Sequence, residues 1–183
     1  MMKIAVLGAG AMGSLYGGYL SRKNDVCLVD VWREHVDAIN ARGLDIDEAG
    51  GSVTHVSPRA VTAAQDAGEA GLVIVFVKSI NTAEALESAP ALIGSETIVL
   101  TLQNGYGNGD DIARFVPRER VVVGTTSHGC TMRGPGHIFH AGSGPTHVGA
   151  LGRDQSAART AGAVLSESGF ETDCSGKVME LVW

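Results

Sequence analysis

Residues 3–13 read KIAVLGAGAMG, and this stretch decides the fold. Its apolar run predicts a buried strand over 3–7, and a helix is expected over 11–23. Between them, Gly8, Gly10 and Gly13 form a G-x-G-x-x-G pattern directly after the strand and at the start of the helix, which is the setting that the pattern requires. The stretch therefore predicts a strand, a tight turn and a helix whose N-terminus attracts an anion.

Alternating strand and helix patterns extend this unit along the chain. Further strands are predicted over 25–30, 72–77, 97–102 and 121–124, and further helices over 34–42, 80–92, 108–115 and 156–168. A hairpin-like excursion is expected over 44–61, two edge strands over 138–140 and 146–150, and a last strand over 171–174. The expected fold class is α/β, a doubly wound and mostly parallel sheet of the Rossmann type with some antiparallel edge strands.

This pattern divides the chain into two predicted segments. Residues 1–175 are expected to form the dinucleotide-binding domain. Residues 176–183 are expected to begin a helix that has no C-terminal stop signal, so that it would lead to a C-terminal helical domain absent from the chain.

The composition narrows the class of protein. With 183 residues and 44% hydrophobic content, the chain can bury a core of ordinary size. A formal net charge of -6 without a basic stripe argues against a nucleic-acid partner. The sequence has no apolar stretch long enough for a bilayer and no signal layout after Met1, so no membrane partner is expected. Cys27, Cys130 and Cys174 lack the spacing of a zinc or redox motif, which favours reduced thiols and a cytoplasmic location.

The glycine pattern predicts the pyrophosphate end of a dinucleotide site. Gly8 permits the turn, Gly10 lets the backbone approach the pyrophosphate, and Gly13 lets the helix pack on the strand. The predicted cofactor-binding residues of this loop are Gly8, Ala9, Gly10, Ala11, Met12 and Gly13.

Asp30 and Arg33 leave the choice between NAD and NADP open. Asp30 ends the second strand, where a carboxylate accepts hydrogen bonds from the adenine ribose hydroxyls and repels a 2′-phosphate, which favours NAD. Arg33 follows three residues later, and its guanidinium is suited to pair with that phosphate. Both residues are predicted to contact the cofactor.

Lys78 and Asn104 follow two further apolar strands. Ligands of doubly wound sheets bind at the carboxyl ends of the strands, so both side chains are predicted to face the site. Each has a simpler explanation, a solvated cation for Lys78 and turn chemistry for Asn104, but their joint position at neighbouring strand ends favours a functional role.

Histidines in the C-terminal half of the chain are weak evidence for a metal site or a catalytic pair. His137 and His140 are expected to point to opposite faces of one strand, which argues against a shared metal site that also includes His147. Ser127 and His128 are adjacent, and neighbouring side chains on a strand diverge, so no nucleophile and base pair is expected there. No metal is predicted.

Several separated motifs resemble the N-terminal domain of the ketopantoate reductase (2-dehydropantoate 2-reductase) family. They are GAGAMGSLYGGYL, the pair Val77 and Lys78, LQNGYGN, and GTTSHGCTMRGPGHIFHAGSGPTHVG, and together they span nearly the whole chain. The resemblance implies NAD(P)H-dependent reduction of 2-dehydropantoate to pantoate, in pantothenate and coenzyme A biosynthesis, usually with NADPH. It also implies that Lys78 and Asn104, with supporting catalytic roles, face cofactor and substrate, and that Gly129 lies beside the nicotinamide.

The chain departs from the family pattern at its end. The resemblance implies a catalytic lysine two positions beyond a tryptophan that Trp183 matches, and Lys177 lies six positions before that tryptophan, too early to be this lysine. The chain alone is therefore expected to bind cofactor and to be inactive. Two alternatives stay open, a reductase of another branched 2-oxo acid and a non-catalytic dinucleotide-binding module. The partner is expected to be a small 2-oxo acid. The sequence leaves the oligomeric state open, and an exposed apolar face would allow a homodimer.

Overall fold

A computed structural model describes residues 1–181 and shows one large sheet with helices on both faces. The large sheet has the strand order β12-β11-β8-β7-β6-β1-β2-β5, and the six strands from β8 to β5 in this order run parallel to one another. The strand β11 runs antiparallel to β8 and parallel to β12. The predicted doubly wound, mostly parallel architecture is therefore confirmed.

The elements have the following bounds. The strands are β1 (Lys3–Leu7), β2 (Asp25–Val29), β3 (Leu44–Glu48), β4 (Val53–Val56), β5 (Arg59–Val61), β6 (Ala70–Val75), β7 (Ile93–Thr101), β8 (Val121–Thr126), β9 (Gly129–Gly134), β10 (His137–Gly142), β11 (Thr146–Ala150) and β12 (Thr172–Cys174). The helices are α1 (Ala11–Leu20), α2 (Arg33–Arg42), α3 (Ala64–Ala67), α4 (Thr82–Glu87), α5 (Asn108–Ile112) and α6 (Ser156–Glu167).

The order of strands reverses at β1, and this reversal positions the site. The chain passes from β1 to β2 on one side and returns to place β6 on the other side of β1. Their carboxyl ends stay joined beyond the strands, because the amide of Phe76 donates to the Leu7 carbonyl at 2.8 Å and that of Gly8 donates to the Val29 carbonyl at 2.9 Å. Ligands of such sheets bind in the crevice at this reversal.

Apolar side chains fill both faces of the large sheet. On one face α1, α2 and α6 bury residues such as Leu15, Ile39 and Leu165. On the other face α3, α4 and α5 bury residues such as Leu86 and Ile112. The central strands are therefore covered on both sides, which accounts for their uninterrupted apolar sequences. None of the helices within residues 1–181 is long and apolar enough to cross a membrane.

A second, four-stranded sheet in the order β4-β3-β10-β9 packs against α1. The strands β3 and β4 form the hairpin predicted within 44–61, whereas β5 pairs with β2 in the large sheet. Gly18 of α1 allows the close approach, because a Cβ there would lie 3.1 Å from Ile46 and from Leu44. The prediction of an edge strand at 138–140 was wrong, since β10 is an inner strand between β3 and β9.

Two predicted helices are shorter than expected. The helix predicted over 80–92 is interrupted after α4, because Pro90 has no amide to donate and begins a separate 3₁₀ turn over Pro90–Leu92. The helix predicted over 108–115 ends at Ile112, and Phe115 continues it only through a 3₁₀-type bond of 2.9 Å to the Ile112 carbonyl. The strand predicted over 146–150 is also not an edge, because β12 covers it.

The segment after β12 shows one 3₁₀ turn over Val178–Glu180 in place of the first turns of an α-helix. Val178 is buried against the core of the large sheet. Residues 182 and 183, the end of the helix predicted over 176–183, lie outside the described residues, and the boundary at 175 stays a prediction.

Candidate functional site

The glycine loop after β1 requires glycine at two of its three positions. Gly8 has φ = 96°, and a Cβ there would lie 2.7 Å from the Val77 amide nitrogen. A Cβ on Gly13 would overlap the carbonyl oxygen of Gly8. Gly10 differs from both, because it is exposed, has φ = -60°, and has no atom within 4 Å of where its Cβ would lie. The loop therefore leaves open space at its middle glycine, where a ligand can approach the backbone.

The peptide groups of Ala9 are held on both sides. The Ala9 amide donates to Oδ2 of Asp30 at 2.6 Å, and the hydroxyl of Ser14 donates to the Ala9 carbonyl at 2.8 Å. Ser14 Oγ also lies 3.0 Å from Nε2 of His35, whose Nδ1 accepts a bond of 3.0 Å from the Gly136 amide. Because Nδ1 accepts, Nε2 carries the proton and donates to Ser14.

Burial keeps His35 neutral. The imidazole is fully buried, and this desolvation lowers its pKa below 6.5 despite the attraction of the Asp30 carboxylate. Ser14 and His35 are residues that sequence reasoning missed. The only signal in the sequence was a polar residue at a position that the fold buries. The contact between Ser14 and His35 joins α1 to α2.

Asp30 and Gly8 line a cavity of about 460 Å³ that lies between the ends of β1 and β2, the start of α3, and α4. Besides accepting from Ala9, the Asp30 carboxylate accepts a bond of 2.9 Å from the Trp32 amide through Oδ1. Carboxylate oxygens have further lone pairs, so Asp30 can still accept from a hydroxyl in the cavity. Arg33 is exposed at the first turn of α2 and does not line this cavity.

Lys78 and Asn104 come together in a second cavity of about 400 Å³ on the other side of β1. Its walls are Met12, Phe76, Val77, Lys78, Ser79, Leu102, Gln103, Asn104, Thr126 and His128. Both Lys78 and Asn104 are exposed, and Lys78 forms no ion pair with any acid in residues 1–181. The cavity therefore offers a cation and an amide beside an apolar wall, which suits a small ligand that carries a carboxylate.

A network of polar side chains beneath the second cavity holds its two loops together. The Gln103 side-chain amide donates to the Val77 carbonyl at 2.5 Å and to Thr82 Oγ1 at 3.0 Å. The Asn104 carbonyl accepts from Ser79 Oγ at 2.8 Å and from the Asn108 side chain at 3.2 Å. These bonds fix the backbone at Asn104 and leave its side chain at the cavity.

Gly129 lies at the start of β9, one residue beyond His128. It is exposed, and its absent Cβ would meet only Ala141 at 3.9 Å. Gly129 is not among the residues that line the two cavities, whereas its neighbour His128 is. The contact predicted for Gly129 beside a nicotinamide stays a prediction.

A chain of side-chain hydrogen bonds leads from the small sheet to the second cavity. Oε2 of Glu48 lies 2.9 Å from Nδ1 of His140, and Nε2 of His140 lies 3.0 Å from Nδ1 of His128. The hydroxyl of Tyr19 donates to Oε1 of Glu48 at 2.6 Å. Sequence reasoning missed this chain of bonds, because its residues belong to α1, β3, β10 and the segment after β8, which only the folded small sheet and its packing on α1 bring together.

His137 and His140 contact adjacent residues of β3 and therefore lie on opposite faces of the small sheet. His137 lies 2.9 Å from Asp47, whereas His140 lies 2.9 Å from Glu48. His147 lies on β11 and is 3.7 Å from Asp173. The expected divergence of His137 and His140 is confirmed by this geometry.

Comparison with known proteins gives a consistent result. The family model described as ketopantoate reductase PanE/ApbA matches residues 4–153. The 2-dehydropantoate 2-reductase of Halobacterium salinarum is 35% identical over 187 residues, which cover 100% of this chain and 60% of that relative.

Two solved structures resemble the fold closely. D-mandelate dehydrogenase in a ternary structure with NADH and anilino(oxo)acetate superposes with a TM-score of 0.89 at 35% identity, over 97% of this chain and 58% of that protein. The 2-dehydropantoate 2-reductase of Geobacter metallireducens superposes with a TM-score of 0.86 at 28% identity, over 94% of this chain and 57% of that protein.

The chain spans about 60% of the length of the curated relatives that it matches. The family model itself covers most of the chain, including the glycine loop, Lys78, Asn104 and the histidines of the small sheet. The chain belongs to the ketopantoate reductase PanE/ApbA family.

Proposed function

We propose that this chain is the cofactor-binding part of an NADH-dependent reductase of 2-oxo acids, with 2-dehydropantoate as the leading substrate. The observation that carries the proposal is the pair of cavities on either side of β1, one containing Asp30 and the other containing Lys78 and Asn104. The glycine loop lies between them. An extended dinucleotide fits this arrangement, with adenosine at Asp30, pyrophosphate at the loop and nicotinamide toward Lys78.

The residues present fit a dinucleotide. The first turn of α1 has no side-chain cap and no acidic residue, so its amides and the positive end of the helix dipole are available to a pyrophosphate. The open space at Gly10 admits the phosphates. Asp30 accepts from a ribose hydroxyl and repels a 2′-phosphate, and Arg33 lies outside the cavity, which together favour NADH over NADPH.

The reduction of a 2-oxo acid needs a hydride, which the nicotinamide supplies when bound. Lys78 attracts the substrate carboxylate, because its ammonium has no competing acid among the described residues. The Asn104 amide donates to a carbonyl oxygen or to the nicotinamide ribose. Met12, Phe76 and Leu102 form an apolar wall that excludes water and strengthens these polar contacts.

Calorimetric titration of the 183-residue chain with NADH and NADPH tests the cofactor assignment. We expect NADH to saturate the chain at a lower concentration than NADPH does. Asp30→Asn is expected to bring the affinities for NADH and NADPH closer together. Tighter binding of NADPH than of NADH would overturn the role given to Asp30.

The similarity to D-mandelate dehydrogenase supports an alternative substrate. That protein and the Halobacterium relative are each 35% identical to this chain. That similarity supports an aromatic 2-oxo acid as the alternative to 2-dehydropantoate. Competition of ketopantoate and phenylglyoxylate with a fluorescent reporter of the NADH complex separates the two. A complex that binds neither acid favours a non-catalytic dinucleotide-binding module.

Location and assembly remain proposals of the same kind. The free thiols of Cys27, Cys130 and Cys174 support a reducing, cytoplasmic location. Val31, Ile80 and Tyr106 are exposed apolar residues, and they support self-association into a homodimer. Sedimentation of the purified chain tests the second proposal.

A further inference from the structure

His128 reaches the second cavity with one ring nitrogen unaccounted for. Its Nδ1 pairs with His140, but its Nε2 is buried and has no hydrogen-bond partner in residues 1–181. The same imidazole lines the cavity of Lys78 and Asn104. We infer that His128 Nε2 accepts a hydrogen bond from an N–H or O–H donor of the ligand bound there, and that Glu48 acts through His140 to keep this nitrogen unprotonated.

The tautomers follow from the carboxylate end of the chain of bonds. Burial favours a higher pKa for Glu48, but bonds from Tyr19, His140 and Thr54 outweigh it and lower the pKa. Glu48 is therefore ionised at neutral pH and can only accept. Nδ1 of His140 must donate to it. When His140 carries this single proton, its Nε2 is the acceptor for Nδ1–H of His128. The remaining nitrogen of His128 then carries a lone pair.

The surroundings of His128 keep the ring neutral and in place. Desolvation is the main cause that lowers its pKa, and the nearby His140 adds to the effect. The rings of Phe170 and Tyr16 stand at 76° and 75° to the imidazole, at centroid distances of 5.3 and 6.1 Å. His128 and His140 are themselves stacked at 5.1 Å. A buried acceptor held this firmly is costly unless a ligand donor reaches it.

The donor has two chemical sources under the proposed function, on which this inference rests. One is the carboxamide N–H of a nicotinamide, and the other is the hydroxyl of a 2-hydroxy acid product. Both groups would lie at the Lys78 end of the site. ADP-ribose lacks the nicotinamide and keeps the rest of the dinucleotide, so it separates the first source from general damage to the site.

Nitrogen-15 NMR of the histidines in the unliganded chain tests the tautomer directly, since protonated and bare ring nitrogens have different shifts. We expect a bare Nε2 and a protonated Nδ1 for His128, and mixed tautomers in Glu48→Gln. His55→Gln is the matched control, because His55 forms an exposed pair with Asp45 and takes no part in the bonds from Glu48 to His128. A protonated Nε2 in the wild-type chain near neutral pH would overturn the inference.

Calorimetry tests the ligand contact. We expect His128→Phe to weaken NADH binding about tenfold, the value of one lost hydrogen bond, while ADP-ribose binding changes less than about twofold. His128→Gln, which restores an acceptor, is expected to recover most of the loss. The product hydroxyl is tested by titrating pantoate into the NAD⁺ complexes of the wild type and His128→Phe.

Each outcome decides a separate point. If His128→Phe weakens binding of NADH alone, the donor is the nicotinamide carboxamide. If it weakens binding of pantoate alone, the donor is the product hydroxyl. Equal changes for NADH and ADP-ribose with unchanged pantoate binding would overturn the contact alone. Failure of the folded wild-type chain to bind either nucleotide would overturn the proposed function and the contact with it.

Discussion

The two ends of the site are built differently. At the glycine loop, the contacting residues belong to one β1-α1-β2-α2 unit, and glycines and buried side chains fix the backbone around Ala9. At the second cavity, most residues follow β6, β7 and β8, and a polar network with Gln103 at its centre joins the segments after β6 and β7. The first end is encoded locally, whereas the second exists only once distant strands have paired.

The largest effect expected is at Gly13. Gly13→Ala places a methyl group on the Gly8 carbonyl, so we expect the free energy of unfolding to fall by about 3 kcal/mol, the upper end of overpacking costs. Urea denaturation measures it. Gly10→Ala is the matched control, since its Cβ meets nothing, and it should keep stability within about 1 kcal/mol while weakening NADH binding. Equal loss of stability in both variants would contradict the different roles of the two glycines.

Ser14→Ala should cost somewhat less. It removes a donor from the Ala9 carbonyl and leaves the buried Nε2–H of His35 without a partner, so we expect a loss of about 2 kcal/mol in unfolding free energy. Thermal and urea denaturation measure the loss. Ser166→Ala on the exposed face of α6 is the control and should stay within about 0.5 kcal/mol. A neutral Ser14→Ala would show that this bond does not hold the loop.

Acidification should destabilise the fold moderately. Burial lowers the pKa of both His35 and His128 in the folded state, so the unfolded chain binds more protons as pH falls below their ordinary value of 6.5. Stability is therefore full above pH 6.5 and is lost progressively below it. Glu48, whose folded pKa is also lowered, adds a further loss below its ordinary 4.5. Urea midpoints at pH 8 and pH 5.5 measure the slope, and a flat profile would contradict neutral buried histidines.

The smallest effect on stability is expected at Lys78. Lys78 is exposed and unpaired with any acid among the described residues, so Lys78→Gln should change unfolding free energy by less than about 0.5 kcal/mol. The same change should weaken binding of a 2-oxo acid to the NADH complex several-fold. Arg114→Gln, an exposed cation remote from the cavity, is the control. Unchanged acid binding would remove Lys78 from the site.

The same contrast explains what the sequence could predict. The β1-α1-β2 unit and Asp30 follow from residues near one another in the chain, and uninterrupted apolar runs identify β6 and β8 as covered strands. The pairing of β3 with β10 joins segments about 90 residues apart, so neither β10 as an inner strand nor the bonds from Glu48 to His128 had a local signal. Lys78 and Asn104 were predictable because strand ends in parallel sheets meet at one edge.

Calorimetric titration of the wild-type chain with NADH tests the central claim, that the amides after Gly10 and the carboxylate of Asp30 bind a dinucleotide across the two cavities. We predict that NADH gives a single saturable binding isotherm. Gly10→Ala should weaken NADH binding, and NADPH should release less heat than NADH at equal concentration. An absence of saturable heat from folded protein would contradict the account.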